Sequence, residues 1–328
     1  MKKILDFIVH SNAAGVLAAV ALACMYAVAC NGYQPSAERN ILIMEAVEWR
    51  DYLSLVGCIL MGYLSVKPSV EYTLSNIHTQ LPAVLFLMGC TIVPLQVCTP
   101  RNLAVLALLA AGCYVLLRTY RNNRASGSYF TAYVLVGLTT LIEPQLLWTA
   151  PLFPLCCIPL RSISVRTIVA GVMGLLCVYW VTFSLLYVTD HMVVGYDLLA
   201  RLTHCDWGSH PHHRTMNESL AILSPLLWIL LLTIPGSAVI LKDNTLNLRS
   251  RTCYYYCIAV LGTMLLLCMV LPMLYATLIP LCLLLAAYVG IPLYTEANTR
   301  GKCVYALAVL LVWTILISHQ LWIRYIPS

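Results

Sequence analysis

The amino-acid sequence predicts an all-α polytopic integral membrane protein, a helical bundle with about 11 transmembrane helices (range 10–12). Of its 328 residues, 61% are hydrophobic and only 10% are charged, which is too little polar surface to cover a soluble protein of this size. Apolar runs of about 16 to 23 residues recur along the chain, and a helix of this length crosses about 30 Å of hydrocarbon. These runs lack the alternation of a membrane β-barrel.

The hydropathy pattern also predicts how the chain is divided. No linker or soluble insertion separates the apolar runs, so residues 1–328 are expected to form a single transmembrane helical domain. Two segments outside the membrane are long enough to form a site, the outer loops 31–51 and 189–218. The expected spans are 11–30, 52–66, 81–98, 103–117, 129–143, 145–160, 167–188, 219–241, 252–271, 273–294 and 303–322.

The distribution of basic residues predicts the orientation of the bundle. With a cytoplasmic N-terminus, 13 of the 19 lysines and arginines lie on the cytoplasmic side, which is the excess that the positive-inside rule requires. The opposite orientation would invert that excess. Nine of the 13 carboxylates then lie on the outer side, so the outer face carries most of the polar groups.

Three carboxylates in the first outer loop are candidate catalytic residues. Glu45, Glu48 and Asp51 recur every three residues, and this spacing places them on one face of a helix. The favoured interpretation is the solvated acidic face of an amphipathic helix at the membrane surface. The alternative is a carboxylate that binds a metal or acts as a general base.

The second outer loop is rich in histidine. Imidazole is a good ligand for transition metals, so His204, His210, His212 and His213 are candidate metal ligands. Their spacing matches neither an HExxH nor a Cys₂His₂ pattern, and the intervening Gly, Ser and Pro residues predict an irregular loop. A solvated loop is therefore favoured over a metal site or a pH sensor, and no cofactor is assigned.

A short helical hairpin is expected at 129–160, because Glu143-Pro144 interrupts an apolar run that is too long for one span and short for two. Each arm would have about 15 residues, or roughly 22 Å of helix. Glu143 then lies at the tip of the hairpin. An exposed turn is favoured, but a carboxylate at membrane depth would be a candidate catalytic site.

Arginines are concentrated at the predicted cytoplasmic surface. Arg118, Arg121 and Arg124 follow one span at three-residue spacing, and Arg161 and Arg166 occupy the next cytoplasmic loop. Anionic lipid headgroups on the cytoplasmic face of the bilayer are their expected partners. Other membrane proteins are further expected partners of the chain, and nucleic acid is not.

The 15 cysteines lie mostly inside apolar runs. Cysteines such as Cys58 and Cys90 are therefore expected to act as small hydrophobic residues. Cys30, Cys98 and Cys205 lie near one membrane face, where at most one disulfide is expected.

The middle of the chain resembles a known family. The order of Gly137-Leu138-Thr139-Thr140-Leu141, Pro144, the basic turn 161–166 and the glycine-bearing span 171–179 is similar to that of an uncharacterised family of polytopic inner-membrane proteins from Bacteroidetes, in detail over about residues 78–190. The resemblance implies a multi-pass protein of the bacterial inner membrane and assigns no activity. Glu143 departs from the aromatic or apolar residue that often precedes this proline in the family.

The same order is also similar to membrane glycosyltransferases that use polyprenyl-phosphate-linked sugars. Those enzymes place an acidic residue in the first outer loop as a base or metal ligand. The resemblance implies that Glu45, Glu48 or Asp51 would have this role here. The first outer loop has only about 20 residues, however, and the large outer domain common among those enzymes has no counterpart in the sequence.

Three functions are therefore open. The leading one is an auxiliary or assembly component of cell-envelope biogenesis, because the sequence offers a helical bundle and two modest outer loops without a catalytic motif. The alternative is a glycosyltransferase-like enzyme with a polyprenyl-phosphate-linked donor. The second alternative is a transporter of a small or lipidic solute, which the scarcity of charges within the expected spans disfavours.

The orientation predicts which loops a membrane-impermeant thiol reagent reaches. In intact cells, a cysteine introduced at Ser209 should be labelled, and one introduced at Asn122 should be labelled only after the membrane is permeabilised. The reverse pattern would reject the cytoplasmic N-terminus and every assignment to the outer face.

Overall fold

The computed structural model describes residues 15–16, 18–24, 49–71, 79–93, 97–122, 124–203, 216–242, 246–295 and 299–325. This part of the chain forms helices and turns with no β-strand, so the predicted all-α class is confirmed. The chain divides into two compact units. Unit 1 comprises Met1–Leu103, Pro211–Asn247 and Cys282–Ser328, and unit 2 comprises Ala104–His210 and Leu248–Leu281. The expectation of a single domain stays a prediction.

Residues 15–16 and 18–24 are helical, and the helices with described bounds follow them. Two short 3₁₀-helices, Pro144–Thr149 and Pro272–Leu274, also occur. The α-helices are α1 (Trp49–Glu71), α2 (Leu81–Ile92), α3 (Pro100–Leu117), α4 (Ser126–Ile142), α5 (Leu152–Cys156), α6 (Val165–Val188), α7 (Met192–Thr203), α8 (Met216–Lys242), α9 (Leu248–Val270), α10 (Tyr275–Thr295) and α11 (Thr299–Tyr325).

Six of the described helical segments are long and apolar enough to cross a membrane, so the chain is a multi-pass helical membrane protein. Three shorter apolar helices, Leu81–Ile92, Ser126–Ile142 and Val304–His319, accompany them. The count of 11 spans and the orientation stay predictions. The six segments are Tyr52–Glu71, Pro100–Leu117, Val165–Val188, Leu223–Lys242, Leu248–Val270 and Pro272–Tyr294.

The helix expected at 81–98 is shorter than predicted, because α2 ends at Ile92. Val93 precedes Pro94 and is extended, with φ −78° and ψ 139°. The ring of a proline disfavours the helical conformation in the residue before it. At 12 residues, α2 is about 18 Å long and therefore too short to cross about 30 Å of hydrocarbon as a single helix.

The second arm of the hairpin expected at 129–160 is not a continuous helix, so this part of the prediction is wrong. The first arm is α4, but the chain from Pro144 to Ser164 consists of a 3₁₀-helix, the five-residue helix α5 and turns. Prolines 144, 151, 154 and 159 recur along this segment. Each proline lacks a backbone N–H and crowds the preceding turn. Helix α8 contains two prolines, Pro225 and Pro235, whereas four prolines within residues 144–159 leave only short helical pieces. We refer to residues 144–164 as the return segment.

Unit 1 is built around the C-terminal part of α10, in which every residue from 282 to 294 is buried. The helices around it approach closely, since a side-chain Cβ at Gly236 of α8 would collide with the backbone oxygen of Val289. The indole Nε1 of Trp313 on α11 lies 3.2 Å from the Met88 carbonyl oxygen and 3.0 Å from Thr91 Oγ1. Apolar burial and these polar contacts together fix α10 and α11 within the unit.

Unit 2 is organised by close packing of α4 against α6. A Cβ at Gly174 of α6 would lie 2.5 Å from the Phe130 backbone oxygen, and one at Gly171 would lie 2.9 Å from the Tyr133 ring. Glycines at such positions let two helix backbones approach, and this packing drives helix association in lipid. The outer face of α6 is exposed and apolar, as expected for a surface against hydrocarbon chains.

The contact at Gly174 predicts that one added methyl group strongly lowers the stability of the protein. Gly174→Ala should destabilise the protein by about 1–3 kcal/mol, because the methyl group meets backbone atoms that cannot move aside. The matched control is Gly262→Ala on α9, where an added Cβ meets no atom within 4 Å and alanine favours the helix. Thermal unfolding of the detergent-solubilised protein should show a lower Tm for Gly174→Ala but not for Gly262→Ala. Equal Tm values would contradict the packing of α4 on α6.

Candidate functional site

Hydrogen bonds join two loops of unit 2 at the end where α4 and α6 begin. The Arg121 backbone N–H donates to the Leu160 carbonyl oxygen at 3.0 Å. Thr119 Oγ1 donates to Ser162 Oγ at 3.0 Å, and the Tyr129 hydroxyl lies 2.9 Å from the same Ser162 oxygen. The two loops and the first turn of α6 carry five arginines, which we call the arginine end: Arg118, Arg121, Arg124, Arg161 and Arg166.

A capping box begins α6 at this end. The Ser164 side chain accepts a hydrogen bond from the Thr167 backbone N–H at 3.2 Å, and the Ser164 backbone N–H donates to Thr167 Oγ1 at 2.8 Å. This cap places Arg166 in the first turn of α6. The N-termini of α4 and α6 both lie here and carry partial positive charge from their backbone dipoles. The two helix ends therefore add to the positive potential of the arginines.

The arginine side chains are exposed to the surroundings of the protein. The Arg118 guanidinium lies 5.1 Å from the centroid of the Tyr114 ring, and that of Arg121 lies 5.5 Å from the Tyr120 centroid. Such cation–π contacts orient the guanidinium groups. The sequences 118–126 and 157–166 contain no Asp or Glu. An exposed group of guanidinium donors without a carboxylate in the same loops suits a phosphate group, which arginine can bind through two parallel hydrogen bonds.

Two of these arginines occupy a backbone conformation that residues with a side chain rarely adopt. Arg121 has φ 55° and Arg161 has φ 52°. The left-handed conformation costs a residue with a Cβ about 1–2 kcal/mol, which is why glycine or asparagine usually occupies it. Strained positions concentrate at functional sites. Arginine therefore occupies both positions at an energetic cost, as Asp190 (φ 56°) does elsewhere in unit 2.

Glu143 lies at the opposite end of α4, and the structure does not bring it to the arginines. Helix α4 has 17 residues, so its ends are about 25 Å apart. The Glu143 backbone N–H donates to the Thr139 carbonyl oxygen at 2.9 Å, and its own carbonyl oxygen accepts from the Leu146 N–H at 3.0 Å. The residue is half-exposed. These two backbone hydrogen bonds lie where α4 ends and the 3₁₀-helix begins.

The other predicted site residues fall outside what the structure describes. Asp51 belongs to the first turn of α1, but its side chain is not described. The convergence of the predicted carboxylates and histidines on a common site is therefore untested, and the roles of these residues stay predictions. The residues outside the described ranges are Glu45, Glu48, His204, His210, His212 and His213.

Sequence reasoning found the arginines but missed the neutral residues that hold their loops together. Thr119, Tyr129 and Ser162 are all buried and are 10 to 43 positions apart in pairs. A further buried contact joins the Tyr133 hydroxyl to the Ala150 carbonyl oxygen at 3.0 Å. The only sequence signal for these residues is the presence of hydroxyl groups next to apolar runs, where each needs a partner inside the protein.

A comparison with models of protein families found no match, and comparisons with curated proteins and with solved structures found no significant similarity. The resemblance to the inner-membrane family from Bacteroidetes thus stays an expectation. The function has to be argued from the geometry of the chain itself.

The position of Glu143 predicts that its charge is dispensable for folding. Glu143→Gln should insert, accumulate and unfold like the parent protein, within about 0.5 kcal/mol, because the backbone contacts that end α4 are unchanged. Tyr133→Phe is the comparison variant, since it leaves the Ala150 oxygen without its buried donor and should cost about 1–3 kcal/mol. If Glu143→Gln lowered the free energy of unfolding as much as Tyr133→Phe does, the charge of Glu143 would be paired within the membrane.

Proposed function

We propose that the protein is an auxiliary or assembly component of cell-envelope biogenesis in the bacterial inner membrane, and that its arginine end binds anionic lipid headgroups on the cytoplasmic face. The observation that carries this proposal is the hydrogen-bonded junction of the two arginine loops, Arg121 N–H to the Leu160 oxygen and Thr119 to Ser162. This junction gathers the arginines at one end of unit 2, where a single headgroup can contact several of them.

The charge of this surface supports binding of phosphate rather than of a neutral group. Each arginine near an anionic membrane surface contributes about 1 kcal/mol of attraction. Five arginines and two helix N-termini therefore favour an anionic headgroup by several kcal/mol. Guanidinium groups also keep their positive charge in proteins, so the attraction to phosphate persists at the membrane surface.

An apolar groove supports binding of a whole lipid molecule. The groove has a volume of about 900 Å³ and runs along α6, with Phe130 of α4 and Met173, Trp180 and Tyr187 of α6 in its lining. Met173 follows Arg166 by seven residues, or about 10 Å along the helix. An acyl chain in the groove would thus continue from a headgroup held at the arginine end.

The surroundings of the arginines support a binding role over catalysis. Thr119, Tyr129 and Ser162 are neutral hydroxyl residues engaged with one another. Binding of a headgroup needs only charge and position, whereas acid–base chemistry needs a titratable group within hydrogen-bond reach of the reacting atom. In this proposal an associated protein performs the reaction, and the present chain holds or presents a phosphate-bearing lipid.

The lipid proposal predicts selective loss of anionic lipid when two arginines are removed. Arg121→Gly and Arg161→Gly should preserve the fold, because glycine adopts the positive φ of both positions without strain. Together they should weaken retention of phosphatidylglycerol by about tenfold or more, as measured by native mass spectrometry of the full-length protein. The matched control removes two arginines elsewhere, Arg101→Gln and Arg201→Gln, and should retain the lipid.

Two results would reject parts of the proposal. Unchanged retention of phosphatidylglycerol in the folded double-glycine variant would reject headgroup binding at the arginine end. Transfer of sugar from a polyprenyl-phosphate-linked donor by the purified protein alone would reject the auxiliary role and favour the glycosyltransferase alternative.

A further inference from the structure

Three cysteines from separate elements meet in the interior of unit 1. Cys58 lies on α1, Cys90 on α2 and Cys98 in the turn before α3. Their Sγ atoms all lie within 4.8 Å of one another. Each side chain is buried, with at most 3% of its surface exposed, and none of the three forms a disulfide. The sequence predicted that cysteines such as Cys58 and Cys90 act as small hydrophobic residues, and it did not predict that three of them meet.

The backbone around the three thiols is held in place independently of them. Helix α2 ends at Ile92, two residues after Cys90, and Val93 is extended before Pro94. Asn102 Nδ2 donates to the Val97 carbonyl oxygen at 2.8 Å, and the Asn102 backbone N–H donates to Thr99 Oγ1 at 3.3 Å. These bonds fix the turn that carries Cys98.

A close approach fixes the position of α1 relative to the start of α3. A Cβ on Gly57, the neighbour of Cys58, would lie 2.9 Å from Leu103 Cδ1. A similar approach occurs one turn further on, where a Cβ on Gly62 would lie 3.2 Å from Leu87 Cγ of α2. The three elements that carry the thiols are thus packed against one another next to the cysteines.

The spacing of the sulfur atoms fits a metal ion better than a disulfide. Sulfur ligands about 2.3 Å from a metal ion in a trigonal plane lie about 4.0 Å from one another, and this distance is compatible with three sulfurs that all lie within 4.8 Å of one another. A disulfide would need two of them at about 2.05 Å, and it would leave the third without a role.

We propose that Cys58, Cys90 and Cys98 form a binding site for a soft monovalent metal ion, Cu(I). Thiolates are soft ligands that select Cu(I) over hard cations. Zn²⁺ is bound almost always by four ligands, whereas the group contains three side chains among the residues that the structure describes. A monovalent ion with two thiolates and one thiol carries a net charge of only −1, which limits the cost of burial. Two of the three ligating thiols release their protons to solvent, the third coordinates as a thiol, and copper keeps its oxidation state.

The test measures Cu(I) bound by the full-length protein in detergent, under anaerobic reducing conditions and in competition with a Cu(I) chelator. The site variant carries three substitutions that remove the thiols, Cys58→Ala, Cys90→Ala and Cys98→Ala. Because other cysteines of the chain also bind some copper, the matched control replaces three buried cysteines elsewhere, Cys253→Ala, Cys268→Ala and Cys282→Ala. The parent and the control should each bind about one Cu(I) more per chain than the site variant. Cu(I) should also raise the Tm of the parent and the control but not that of the site variant.

A second measurement keeps the proposal testable where the site variant does not fold. X-ray absorption at the copper edge of the parent protein, loaded with one Cu(I), should count three sulfur neighbours at about 2.2–2.3 Å. Two sulfur neighbours, or equal copper binding by the parent and the folded site variant, would overturn the proposal. A disulfide between any two of the three cysteines in protein isolated from cells under thiol-trapping conditions would overturn it as well.

Discussion

Inside a membrane, every backbone N–H and C=O group has to find its partner within the protein, since hydrocarbon offers none. In the return segment, regular helical hydrogen bonding is interrupted. Its four prolines, at positions 144, 151, 154 and 159, leave only short helical pieces. The chain instead satisfies its carbonyl groups by short-range turns, by the Tyr133 hydroxyl at Ala150 and by the Arg121 N–H at Leu160. Helix α4 supplies one of these partners, the Tyr133 hydroxyl.

The arginine end follows from this requirement. The Leu160 carbonyl oxygen accepts a hydrogen bond from the loop after α3, so the last residues of the return segment lie beside Arg121. Ser162 then reaches both Thr119 and Tyr129, and the cap at Ser164 starts α6. The end of the proline-rich segment is thus hydrogen-bonded to the loop after α3, and these bonds hold together the two loops in which the sequence places the arginines.

The sequence predicted the helices that apolar runs and caps define. The span expected at 167–188 is α6, Val165–Val188, because a long apolar run follows a Ser-x-x-Thr cap. Two errors had readable signals, since Pro94 ends α2 and the prolines after residue 150 interrupt the second arm of the hairpin. Both were overlooked because hydropathy averages over a window in which a few prolines carry little weight.

Contacts between distant residues were beyond sequence reasoning. Thr119 and Ser162 are 43 residues apart, and their positions in the sequence do not indicate that they meet. The same is true of Cys58 and Cys90. Such contacts depend on how neighbouring helices rotate and cross, which small residues such as Gly57, Gly171 and Gly174 help to decide. The arginines were found because charge at the end of an apolar run is visible along the chain, whereas the groups that position them are neutral and buried.

The most direct test of the return segment is an experimental structure of the full-length protein in a lipid nanodisc that contains phosphatidylglycerol. We expect residues 144–164 to be irregular and packed against α4, with the Arg121 nitrogen within hydrogen-bond distance of the Leu160 oxygen and lipid phosphate density beside the arginines. A continuous helix over residues 145–160 that faces lipid, with the two arginine loops apart, would contradict this account.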